Sequence, residues 1–202
     1  MMKLEKINSV NKKYAHNIFP GEVGKYWVDF NWYWGEISFR RSFINSQFIY
    51  LNENPAPIGF VSYGQHFRDR ILKECVPNSY ELYHMVIDER MQGQGLGKAA
   101  TIYVLQEIAK LEAANKLIVA CHPDNKRATK LYNSLGFKFF SKNYDDDPMY
   151  FITPETALKM QMPIHSFKTN LNPISKNAKA WTEESYHSEK SFSWDDWELG
   201  LD

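Results

Sequence analysis

Only two cysteines, Cys75 and Cys121, occur in the 202 residues. Neither belongs to a CxxC pair or to a cysteine–histidine spacing that would hold zinc. A disulfide-stapled scaffold and a structural zinc domain are therefore excluded, and a reducing, cytoplasmic setting is the expectation. No apolar run approaches the roughly 18–20 residues that a membrane helix needs, and the opening MMKLEKINSV has no apolar signal core. Charge of one sign is also missing: 24 Lys and Arg balance 24 Asp and Glu. No global field draws the chain to nucleic acid or to an anionic membrane, so any anion site must be local. What remains, 44% apolar and 24% charged residues, is the composition of one ordinary folded domain.

Glycine is scarce too, 10 residues in all, yet three of them fall in Gln92-Gly93-Gln94-Gly95-Leu96-Gly97-Lys98. Bare backbone at that density marks a place where main chain approaches something closely. The stretch follows an apolar strand pattern over 80–88. It precedes a helical one in which Leu96, Ala100, Tyr103, Val104, Ile108 and Leu111 share a stripe. A strand-to-helix turn of this kind offers amide N–H groups at a helix N-terminus, where orphan donors and the macrodipole favour an anion. A P-loop is excluded, because Gln92 stands where its first glycine belongs and Ala99 follows Lys98. A dinucleotide fingerprint over 95–100 is disfavoured by the antiparallel pattern that precedes it.

Elsewhere the pattern reads as a strand over 3–7, a weakly helical segment to Ile18, and an aromatic helix within 26–43 carrying Trp27, Phe30, Tyr33 and Trp34 on one face. A hairpin is expected over 47–63, then a polar loop over 65–79. A buried strand over 117–121 leads to a helix with Ala128, Leu131, Tyr132 and Leu135 on one face, closed by Gly136. A final hairpin over 137–153 turns at Asp145-Asp146-Asp147, read as a turn and not as a metal site. The order predicts an α+β (mixed α/β) domain over 1–154. Residues 155–202, polar and without sustained period, read as a peripheral or partly disordered appendage.

Ile87 to Ala99 together with Asn125 to Phe137, NKRATKLYNSLGF, resemble the GNAT superfamily of acyl-CoA-dependent N-acyltransferases. The [QR]xxGx[GA] pattern falls on Gln92, Gly95 and Gly97, and the downstream Asn and Tyr fall on Asn125 and Tyr132. Within the superfamily the stretch is most similar to the diamine and spermidine acetyltransferase branch. The resemblance implies a mixed, mostly antiparallel sheet flanked by helices, acetyl-CoA as cosubstrate with no metal, and a small-molecule amine, polyamine-like first, as acceptor. An amino acid, an antibiotic or a protein amine is the alternative acceptor, and a homodimer stays open. So does a module that binds acyl-CoA without transferring it and uses its tail to hold a partner.

By the same resemblance, amides of Gln92, Gly93, Gln94, Gly95, Leu96, Gly97 and Lys98 wrap the diphosphate. The pantetheine arm pairs with backbone at Met85, Val86 and Ile87, and the Ile87 N–H donates to the thioester carbonyl. Asn125 binds the arm, and Tyr132 addresses the sulfur. A phenol near 10 is a weaker acid than a thiol near 8.5, so proton transfer and a hydrogen bond to the thiolate are both open for Tyr132. The acceptor ammonium must lose a proton. Where many relatives carry an acid this chain has Tyr83, which leaves His84 and Glu81 as candidate bases, on opposite faces of the strand unless a bulge intervenes. Cys121 is the weaker alternative, as a covalent acetyl carrier.

Overall fold

A computed structural model describes residues 1–51, 54–69 and 73–163. The strands are β1 (Met2–Lys6), β2 (Ile44–Leu51), β3 (Gly59–Phe67), β4 (Cys75–Ile87), β5 (Lys116–Ala120), β6 (Lys138–Lys142) and β7 (Pro148–Ile152). The helices are α1 (Asn31–Arg40), α2 (Leu96–Ala109), α3 (Lys126–Ser134) and α4 (Pro154–Leu158), with short 3-10 turns at Lys12–Asn17, Gly24–Tyr26 and Glu89–Met91. The seven strands form one sheet in the order β1-β2-β3-β4-β5-β7-β6. Every neighbouring pair is antiparallel except β4 and β5. This is the α+β architecture that the sequence pattern implies. Among the described residues no helix is long and apolar enough to cross a membrane.

The sheet has a core on each face. On one, Val61, Leu82, Ile87, Leu117 and Val119 meet α2, whose small and branched residues Ala99, Ala100, Ile102, Val104 and Leu105 are buried. Helix α4 covers a further side of α2: Ala157 is buried, and Gln106 Nε2 donates to the Met160 carbonyl at 2.9 Å. On the other face, Phe48, Phe60 and Val86 pack under α1 and the N-terminal turns, with Trp34, Phe30 and Ile18 above them. Phe48 and Phe60 are wholly buried, each contributing about 1.5–3 kcal/mol by burial alone.

Three differences from the sequence pattern have local causes. The aromatic helix is shorter than 26–43, because Trp27 closes a 3-10 turn and Phe30 is extended. Its buried face is Asn31, Trp34 and Gly35, and Trp27 leaves it to lie 5.2 Å from the His122 ring. The expected polar loop over 65–79 is instead largely strand, since backbone pairing is indifferent to side-chain polarity once the polar groups find partners, as His66 and Glu81 do at 2.7 Å. The segment read as an appendage starts as the docked helix α4, while 164–202, with its acidic aromatic end, lies outside the described residues. Asp145–Asp147 do form the hairpin turn, with Asn143 Oδ1 accepting from the amides of Asp145 and Asp147, both at 2.9 Å.

β3 must lie flush on the turn into β2. A Cβ on Gly64 would collide with the Phe43 carbonyl oxygen and come within 3.0 Å of Ile44 Cα, backbone atoms that can yield only if the chain itself moves. Gly64→Ala is expected to lower the free energy of urea unfolding by about 1–3 kcal/mol. An unchanged midpoint would show that this corner is slack.

Candidate active site

β4 and β5 run side by side only from Ser79 opposite Lys116 to Leu82 opposite Val119. Beyond that point β4 continues to Ile87 with no partner on its β5 side among the described residues, while the chain after Ala120 turns away into α3. The sheet therefore forks. Asp88 N donates to the Ile58 carbonyl at 2.9 Å, so by alternation the amides of Val86 and His84 point to β3 and those of Met85 and Ile87 point into the gap. That leaves an unpaired strand edge along one wall of the fork. The opposite wall is α3, none of whose residues is fully buried although Leu131 and Tyr132 pack against the core.

At the mouth of the fork the glycine stretch makes a cradle. Gly93 and Gly95 adopt φ of 79° and 78°, a left-handed backbone that side chains disfavour, and Gly95 is the N-cap of α2. A Cβ on Gly93 or Gly97 would meet nothing within 4 Å, so both positions border open space. The first amides of α2 therefore adjoin open space into which a side chain at either position would project. Gln92 sets its shape: Nε2 donates to the carbonyls of Ile87 at 2.8 Å and Pro20 at 3.0 Å, and Oε1 accepts from Arg127 Nη1 at 2.7 Å. One side chain thus ties β4, the N-terminal segment and α3 together across the mouth. Asp88, buried beside it, accepts from Phe19 N at 3.2 Å and from Arg90 Nε at 2.5 Å.

A splayed parallel pair, a free strand edge and a glycine turn at the following helix form one arrangement, and comparisons with known proteins give the family of the fold that carries it. The Acetyltransferase (GNAT) family profile matches residues 16–137. The chain belongs to the GNAT acetyltransferase family. A spermine/spermidine N(1)-acetyltransferase of Bacillus subtilis (strain 168) is 38% identical over 53 residues, which are 26% of this chain and 35% of that enzyme. The chain thus aligns with about a third of that relative's length. Among solved structures, the aminoglycoside acetyltransferase AAC(6')-Ib in complex with coenzyme A superposes with a TM-score of 0.61 at 13% identity, covering 77% of this chain and 96% of that one. An uncharacterized protein from Bacillus halodurans superposes with a TM-score of 0.64 at 12% identity, covering 77% and 86%. At such identities the superpositions establish the shared fold.

Within this GNAT fold the sequence-predicted residues divide into groups. Met85, Val86 and Ile87 lie on the free strand edge, and Gln92 to Lys98 form the cradle, though the Gln92 side chain is engaged in the clamp just described. Ile87 is at the mouth, five residues or roughly 17 Å from the apex at Leu82. The Ile87 amide thus opens into the gap near its mouth, and the amides of Met85 and of the Tyr83 bulge lie closer to the apex. Asn125 is the N-cap of α3, its Oδ1 accepting from Ala128 N at 3.1 Å. Tyr132 packs 5.5 Å from the Phe137 ring, and burial, with the Cys121 thiol as a smaller influence, raises its phenol above the ordinary range. Burial also raises the Cys121 thiol, which lies 3.7 Å from Thr129 Oγ1, so the thiolate that a covalent carrier needs is disfavoured.

The two candidate bases are separated by chemistry and joined by geometry. A register shift opposite Ser62 and Tyr63 makes Tyr83 an extra residue, so Glu81 and His84 fall on the same face, the one under α1. His84 is buried against the wall of α1. Asn31 Nδ2 donates to the carbonyls of Ala15 at 3.0 Å and Ile18 at 2.8 Å, which leaves its Oδ1 to accept from His84 Nε2 at 2.8 Å. Burial lowers the imidazole from 6.5 to about 3, so His84 is a neutral structural donor and a poor base. Glu81 is different. It pairs with His66 Nδ1 at 2.7 Å on the wall of a cleft of about 380 Å³ that also borders Lys116, Ile118, Phe140 and Tyr144. His66, Lys116 and Arg127 are the residues that sequence reasoning missed. The helical or strand period marks burial but carries no signal for partners on distant strands.

For His84 the pH dependence follows directly. Between pH 6.5 and about 3 the unfolded chain binds a proton that the folded chain refuses, so stability is lost as pH falls through that window. The slope is up to about 1.4 kcal/mol per pH unit. In urea unfolding, the stability advantage of the parent over His84→Gln is expected to narrow from pH 7 to pH 4.5. A constant difference would mean that His84 is solvated.

Proposed function

We propose that this GNAT protein transfers the acetyl group of acetyl-CoA directly to the primary amine of a small molecule. The observation that carries the reading is the cradle: two glycines whose absent side chains leave open space at the N-terminus of α2, continuous with the unpaired edge of β4. The residues present fit the cosubstrate. Amides from Gly93 to Lys98 suit a diphosphate. The Met85 and Ile87 backbone groups suit the amide-bearing arm as an added strand, and Tyr132 and Cys121 border the inner end of the fork. Acetyl-CoA supplies an acyl group already activated as a thioester.

The chain's own groups then have separable tasks. Backbone amides near the Tyr83 bulge are fixed by the sheet and can donate to an oxygen as negative charge develops on it. The raised phenol of Tyr132 makes full proton transfer to a thiolate more uphill than the ordinary values allow, which favours Tyr132 as a hydrogen-bond donor to the leaving sulfur. Glu81 and His66, paired at 2.7 Å, are the groups assigned to take up the acceptor's proton. A polyamine acceptor is supported by the short stretch shared with the Bacillus subtilis enzyme, but the cleft opposes it, since Glu81 is the single acid among the described residues that line it.

Two measurements test the reading. Gly97→Ala adds a methyl where the structure has room and where helix propensity favours alanine by about 1 kcal/mol. It is expected to leave the melting temperature equal or higher while weakening acetyl-CoA binding at least tenfold in titration calorimetry. Equal affinity would move the diphosphate elsewhere. Tyr132→Phe is expected to lower kcat by about 10² to 10⁴-fold in thiol-release assays with acetyl-CoA affinity kept, and an unchanged kcat would take Tyr132 out of the mechanism.

A further inference from the structure

The sheet face under α1 is covered only in part. Helix α1 and the N-terminal turns lie over β2, β3 and the last part of β4, and the first part of β4 with β5, on the N-terminal side of the point where the two strands part, is left to floor the cleft. On that floor the register sets Glu81 opposite Ile118 and Ser79 opposite Lys116. Glu81 and Lys116 are thus diagonal neighbours on one face, with Cα atoms roughly 8 Å apart. Their charges are held in different ways. Glu81 is fixed by His66 at 2.7 Å. Lys116 Nζ rests over the rings of Phe140 at 5.0 Å and Phe151 at 5.2 Å, and no carboxylate among the described residues lies within ion-pair distance of it.

The other cations of the cleft are already matched at its rim. Arg68 pairs with Glu74 at 2.8 Å, and Lys142 with Asp146 at 3.5 Å. The interior therefore presents one carboxylate backed by an imidazole, and one ammonium steadied by two aromatic faces with its hydrogen-bonding capacity open. A second ammonium on the acceptor would meet Lys116 and be repelled. A dianion would exceed what one ammonium neutralises.

We infer that the acceptor is an amino acid or similar small zwitterion, its amine directed to Glu81 and His66 and its carboxylate to Lys116. This rests on the transferase reading and narrows it to a substrate class that polyamines do not meet.

The experiment compares thiol release from acetyl-CoA with three acceptor sets: α- and ω-amino acids, their carboxamides, and diamines of matching length. The parent protein is expected to show kcat/KM at least tenfold higher for its best amino acid than for the corresponding carboxamide or diamine. Lys116→Gln is expected to erase that preference by raising KM for the amino acid about 10- to 100-fold, with the carboxamide rate within threefold of the parent's and acetyl-CoA affinity unchanged. Lys116→Arg keeps the preference. A parent enzyme that favours diamines or carboxamides, or a Lys116→Gln variant that loses both acceptor types equally, overturns the inference while leaving the transferase intact. Acetyl-CoA binding with no thiol release from any acceptor removes the transferase reading, and this inference with it. A melting curve for each variant separates these outcomes from misfolding.

Discussion

The ladder between β4 and β5 stops at Leu82 and Val119, and the function of the molecule follows from that stop. β4 has 13 residues and β5 has 5, so the longer strand must run on alone. Backbone amides on an edge of this kind need partners, and in most sheets another strand supplies them. Here the edge lines a gap whose far wall is a half-buried helix and whose mouth is the glycine cradle. The gap is thus bounded by a free strand edge, with the glycine turn at its outer end. In the proposed reading a chain of amides ending in a diphosphate fills it.

An open fork has to be kept from closing, and several contacts do this without entering it. The Gln92 side chain joins Ile87, Pro20 and Arg127, fixing both arms at the mouth. Asn31 performs the same task from above: its amide is satisfied by Ala15, Ile18 and His84, so α1, the N-terminal turns and β4 are pinned at one buried point. The neutral state of His84 is part of this arrangement, because burial disfavours a charged ring there. The bulge at Tyr83 then turns Glu81 onto the face carrying His84, and Glu81 reaches the cleft where His66 meets it.

Much of this was legible in the residues. The helical stripe of α2, the short apolar β5, the final hairpin and the cradle all announce themselves through period or composition, because each depends on neighbours a few positions apart. The strand over 75–79 and the end of β3 did not, since Gln65, Phe67 and Cys75 are read as loop by composition and become strand through the pairs Gln65–Tyr80 and Phe67–Cys75. Tyr132 was recognisable by motif, and the shift that burial gives it was not. His84 and Glu81 read as candidates on opposite faces of one strand unless it bulged; the bulge puts them on one face, and their partners distinguish them.

The sequence by itself determined most of the order of elements, the class of the fold and the glycine turn ahead of α2, because glycine spacing, hydrophobic period and the Asn125–Tyr132 motif are local properties of the chain. Tertiary structure alone decided the register. It decided where β4 and β5 part, which way a bulged strand turns its carboxylate, and that His66 from β3, Glu81 from β4 and Lys116 from β5 stand around one cleft. Those residues lie as far as 50 positions apart in the chain. Only strand pairing, which is blind to side-chain identity at the backbone and exacting about it in the packing, brings them within reach of one small molecule.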